Sequence, residues 1–127
     1  MKKEYKEVLE SGEEIYIPTW PVDTAIENLG QLGKFIGLDS AMQIAEINIP
    51  AVLMALATSS DPENTANLVK HFACSARIDG EKLDLRSYDS FFRGDISLLA
   101  EVFAHVIKAQ FGDFFALGLA KVASQQL

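Results

Sequence analysis

The 127-residue sequence predicts a mainly α-helical fold of about five to six helices with a short N-terminal β-hairpin, an α+β arrangement being the alternative. Three observations lead there. Apolar residues recur at helical spacing through most of the chain after Pro21. Ser60-Asp61-Pro62-Glu63 sets a cap, a proline and an early acid in the order that starts a helix. Near the N-terminus, two half-apolar runs flank Ser11-Gly12, a turn signal between strands. A chain of this length buries roughly two-thirds of its unfolded surface in one core. A single domain over 1–127 is therefore expected, with 1–20 the hairpin region and 21–127 the helical body.

The elements follow in order. Tyr5, Val8 and Leu9 form one strand, and Ile15, Tyr16 and Ile17 the other. Pro18 and Pro21 end the second strand, and Pro21 suits a first helical turn, where its missing N–H would be unpaired anyway. Val22, Ile26, Leu29, Leu32/Gly33 and Ile36 mark the stripe of a helix of about 15 residues. Gly37-Leu38 closes it as a left-handed cap with a hydrophobic contact. Ser40-x-x-Gln43 reads as a capping box that opens a helix through Ile44 and Ile47, which Pro50 breaks or kinks. The continuation AVLMALA is almost wholly apolar and is expected to be central. After Asp61, the residues Leu68, Val69, Phe72 and Ala76 make one stripe. Asp79-Gly80 signals a second, very short hairpin. A short helix covers Tyr88–Phe92, and two helices follow Gly94.

Composition narrows the function. Hydrophobic residues at 49% and charged residues at 23% describe a globular chain rather than a disordered one. A net charge of −7 and a pI near 4.7 repel a phosphate backbone, so no nucleic-acid partner is expected. The acidity is uneven: residues 39–69 carry Asp39, Glu46, Asp61 and Glu63 and no Lys or Arg. The longest uncharged run, Ile47–Ser60, contains Pro50 and is too short to span a bilayer of about 30 Å, so no membrane association is expected. The charged opening MKKEYKEVLESGEE lacks a signal-peptide core, and the lone Cys74 cannot form an internal disulfide. Both point to the cytoplasm.

Chemistry is sparse. His71, Cys74 and His105 fall short of the roughly four ligands of a structural zinc site. No G-x-S-x-G elbow surrounds any serine. In Gly30-Gln-Leu-Gly33-Lys34 the lysine precedes Phe35 instead of Ser or Thr, and the glycines lie inside a helical period, which removes a phosphate-loop reading. Arg93-Gly94-Asp95 is helix punctuation, a stop followed by a cap. No catalytic residue, cofactor or metal site is expected.

The last third is different. Six of the eight phenylalanines fall within 91–120. Projected at 100° per residue from Ile96, the polar side chains Ser97, Glu101, His105 and Lys108 share an arc of about 80°. The rest holds Leu98, Leu99, Val102, Phe103, Val106, Ile107 and Phe111, far wider than one core contact requires. Continued straight on, the helix would put Phe115 on the polar arc, so a break at Gly112-Asp113 is expected, with Asp113 capping a last helix. That helix carries Phe114, Leu117 and Gly118 on one side and Phe115, Leu119 and Val122 on the other. Exposed apolar patches mark interaction sites. The candidate partner-binding residues are Phe103, Phe111, Phe114, Phe115, Leu117, Leu119 and Val122.

With ESGEEIYIPTWPVDTAI at one end, and Ile78-Asp79-Gly80 and FFRGDISLLAEVFAHVIKAQFGDFF toward the other, the chain resembles the tail assembly chaperones of long-tailed, lambda-like bacteriophages (siphoviruses). The resemblance implies a small, mainly helical protein of the host cytoplasm that self-associates. Such a protein coats the long helical tape measure protein, helps the tail tube protein polymerise around it, and is absent from the mature virion. Many such chaperones have a second form made by a programmed frameshift, but here AKVASQQL lacks the Gly-Lys pair that a common slippery sequence encodes. The alternative reading is a small structural tail or connector component. A third, a small enzyme or ligand-binding domain, has no motif behind it.

Overall fold

The computed structural model of the chain describes residues 4–84 and 86–119. In order these form β1 (Tyr5–Val8), β2 (Glu14–Ile17), α1 (Val22–Phe35), α2 (Leu38–Ile44), α3 (Ile49–Ala57), α4 (Pro62–Ala73), β3 (Arg77–Ile78), β4 (Glu81–Lys82), α5 (Ser87–Phe92) and α6 (Ile96–Phe114). The end of α6 widens into a π-helical turn over Phe115–Leu119. The architecture is the mainly α one that the periodicity predicts, with a small β part.

Both hairpins form where their turn residues require. At Asp79-Gly80 the backbone takes φ of +50° and +84°, the left-handed pair that lets two short strands reverse with the correct twist. The two hairpins then join into one antiparallel sheet of order β1-β2-β3-β4, with Ile15 opposite Ile78. The join is reinforced at its edge: Glu14 N–H donates to the Asp79 carboxylate at 2.9 Å, and Asp79 N–H donates to the Glu14 carbonyl at 2.8 Å. Ile15, Ile17 and Ile78 point into the core.

Among the helices, α4 follows its sequence signal closely. Asp61 caps it by accepting from Asn64 N–H, and Leu68, Val69, Phe72 and Ala76 are buried. Other expectations fare differently. Ser40 does not cap a helix: α2 starts earlier, at Leu38, because Gly37 at φ +92° both ends α1 and turns the chain into the next helix. Leu38 packs beside Gly33, where an added methyl would lie in ordinary contact with it at 3.6 Å. Of the two outcomes expected at Pro50 the structure has the break: α2 ends at Ile44, and Pro50 lies in the first turn of α3, with Asn48 capping through Ala51 N–H at 3.1 Å. AVLMALA is not central. Only Val52 is buried on α3, and Met54 is 65% exposed.

The core centres on α6. Ala100, Val102, Phe103, Ala104, Val106 and Ile107 lose all contact with solvent, and Phe103 packs on Phe72 with ring centres 5.5 Å apart. The expected break at Gly112-Asp113 is absent, and α6 runs through both residues. A helical glycine costs about 1 kcal/mol relative to alanine. Burying Phe111 and Phe115 on either side of it contributes about 1.5–3 kcal/mol each, which decides for continuity.

Candidate protein-interaction surface

On the polar arc of α6 the N-terminal segment covers Glu101 and His105, while Ser97 and Lys108 stay exposed. Tyr5 Oη lies 2.6 Å from His105 Nδ1, and the Glu101 carboxylate accepts from Glu10 N–H at 2.9 Å. Farther along, Gln110 clamps the link between sheet and α1: its Oε1 accepts from Trp20 N–H at 3.1 Å and its Nε2 donates to the Pro18 carbonyl at 2.8 Å. Burial holds the His105 imidazole below its ordinary pKa and pushes the Glu101 carboxyl above its own. A neutral His105 can accept the Tyr5 hydroxyl proton at Nδ1.

This docking rearranges the predicted surface. Phe103, Phe111 and Phe115 are buried, Phe115 at 4% exposure, so they form the platform beneath any contact face. Phe114 and Leu117, one helical turn apart, are exposed, Leu117 at 72%. The Leu119 side chain and Val122 lie outside the described residues.

Two further apolar surfaces escape the sequence reading. Val22 (73% exposed) and Ile26 (63%) stand out from α1, although both belong to its predicted stripe. The helix turns Leu32 and Asn28 inward instead, which leaves Val22 and Ile26 about 80° and 120° from Leu32. Met54 heads the outer side of α3. The available signal was that α3 carries no charge yet is only nine residues long, too small to be wrapped on every side.

A cleft of about 540 Å³ opens beside the sheet, lined by Pro18, Trp20, Pro21, His71, Arg77 and Lys82 among others. Trp20 is its rigid wall, edge-on to Phe72 at 5.1 Å and to Phe111 at 5.8 Å. His71, which the sequence sets near Cys74, instead meets Asn28 Oδ1 at 3.2 Å. Burial raises the Cys74 thiol pKa, away from reactive-thiolate character. No group of three or more His, Cys, Asp or Glu among the described residues is placed to hold a metal ion. No helix among them is long and apolar enough to cross a membrane.

Large apolar side chains are left open on α1, α2, α3 and α6, around a core whose Glu101 and Gln110 are engaged by the N-terminal segment. The model of the family described as phage tail assembly chaperone protein, TAC, matches residues 11–121, and the chain belongs to that family. Comparison with curated proteins and with solved structures finds no match.

Proposed function

We propose that the chain acts without catalysis, self-associating and binding a long helical client, the phage tape measure protein, while the tail tube protein assembles around that client. It works in the host cytoplasm and leaves before the particle is complete. The observation that carries this reading is the exposed Phe114–Leu117 pair on a platform made rigid by buried Phe111 and Phe115. An amphipathic client helix docks by laying its apolar side against such a surface. Leu119 and Val122 belong to the proposed surface on their sequence alone. The net charge of −7 keeps a coated client apart from its neighbours.

Co-expression of the tape measure protein with wild type or with a Phe114→Asp/Leu117→Asp variant tests the reading. A folded variant that leaves the client insoluble is the expected result, and a client equally soluble with both refutes it. Mass spectrometry of purified particles checks the departure: chaperone peptides at the level of a structural subunit would overturn that part.

A further inference from the structure

One face of α1 is left uncovered by the rest of the fold. Val22 and Ile26, one turn apart, are exposed, and so is Gly30, a further turn on. At 100° per residue the three fall within about 80° of one another, so they make one stripe along the helix. The first two are knobs and the third is a hole.

Nothing inside the fold accounts for glycine at position 30. It lies within a 14-residue helix, its φ is not positive, and a Cβ built there would meet no atom within 4 Å. Most other residues would suit the helix better, because glycine loses the most backbone freedom on folding. What the bare backbone does allow is close approach from outside. Farther along the same stripe Gly33 is met by Leu38 at 3.6 Å, and Leu38, 39% exposed, carries the apolar surface on from there.

A helix that packs on this stripe must bring a hole for Ile26 and a knob for Gly30, one turn apart and in reverse order. α1 itself, turned end for end, brings both. We infer that α1 packs antiparallel on α1 of a second copy about a two-fold axis, with Ile26 over the partner's Gly30 and the partner's Ile26 over Gly30. In that register Val22 runs against the partner's Leu38, and Asp23 lies beside the partner's Lys34. All of these but Leu38 belong to one helix, whose geometry fixes their spacing, and Leu38 is placed by its contact with Gly33.

Shape selects this partner, and charge does not oppose it. The ionic side chains of α1 are Asp23, Glu27 and Lys34. Lys34 already lies over its own Phe35 ring at 5.2 Å and acts on Asp61. Glu27, about 100° round the helix from Ile26, stays in water at the rim. Because the same patch serves both copies, the contact is isologous and closes at two. The inference rests on the self-association in the proposed function and adds its unit, a closed dimer built without Phe114 or Leu117.

Exchanging knob and hole tests it. Gly30→Ile sets isoleucine against isoleucine, and Ile26→Gly leaves glycine against glycine, so each alone should weaken the dimer about tenfold or more by sedimentation equilibrium. The double variant Ile26→Gly/Gly30→Ile again places a knob over each hole and should dimerise as wild type does. Both positions are exposed, so circular dichroism should show an unchanged fold. Should Ile26→Gly melt α1, Gly30→Ala carries the prediction alone: it suits the helix better than glycine, so as a dilute monomer it should melt higher than wild type and yet dimerise less. Single variants that dimerise like wild type, or a folded double variant no better than the singles, overturn the contact and leave self-association standing through another surface. A Gly30→Ile protein that dimerises normally but leaves the tape measure protein insoluble would make α1 a client surface and likewise overturn the inference. A wild type that is monomeric at every concentration overturns self-association itself.

Discussion

Replacing Gln110 with leucine removes the clamp between α6 and the segment leading into α1, and its cost can be worked from geometry. The glutamine is buried, and its amide satisfies two backbone groups at once, Trp20 N–H at 3.1 Å and the Pro18 carbonyl at 2.8 Å. Leucine fills similar volume but leaves both groups without that partner. An unsatisfied buried polar group costs about 1–3 kcal/mol. Pro18 and Trp20 are half-buried, so water recovers part of this and the sum falls near the low end, about 2–3 kcal/mol. Gln110→Glu keeps an acceptor for Trp20 N–H but sets a carboxylate against the Pro18 carbonyl, so it should lie between wild type and Gln110→Leu or below both. Urea unfolding followed by fluorescence is well suited, because Trp20 is the chain's one tryptophan and sits in the affected segment. A Gln110→Leu variant within about 0.5 kcal/mol of wild type would refute the clamp, since that is the range of a surface substitution without structural consequence.

Phe115→Asp should unfold the protein or come close to it, since it buries an unpaired charge, whereas Leu117→Asp should leave the denaturation midpoint unchanged; equal effects would contradict the assigned burial. Asn48→Ala should cost about 1 kcal/mol through loss of the α3 cap, read from the urea midpoint. For pH, burial disfavours the charged form of His105, so as pH falls below its ordinary 6.5 the unfolded chain takes up the proton first and stability is lost. Glu101 has the opposite sign: its pKa is raised from an ordinary 4.5, so the folded chain takes up the proton first, and that contribution is lost as pH rises through the raised value. Urea midpoints at pH 7 and 5.5 should therefore fall more steeply in Glu101→Gln and less steeply in His105→Gln than in wild type.

Local chemistry was legible in the sequence. Asp61-Pro62 starts a helix and Asp79-Gly80 reverses a strand because the capping carboxylate and the left-handed backbone act within three residues. Competition between neighbouring signals was harder to read: Ser40-x-x-Gln43 has the right letters, but Gly37 had already turned the chain and α2 had begun. Helical phase could not place α3, because a helix apolar all round has no direction, and its outer face emerges only once α2, α4 and α6 have taken their places. The division of the candidate surface into buried and exposed residues was hidden for a related reason. Whether Glu101 and His105 face water depends on residues about 90–100 positions earlier, and no periodicity within α6 encodes that. Phe114 and Leu117 are exposed while Phe103, Phe111 and Phe115 are buried, a division that only tertiary packing makes.

The same long-range docking sets an order on the birth of the molecule. Tyr5, Glu10, Pro18 and Trp20 find hydrogen-bond partners on residues 101–110, so the first hairpin, even after β3 and Phe72 have been made, stays incompletely docked until α6 has followed. Closing so long a loop is slow, and partly built chains show unpaired strand edges and open apolar surface in the meantime. A messenger that slows translation before the α6 codons should therefore lower the soluble yield more than one slowed after them.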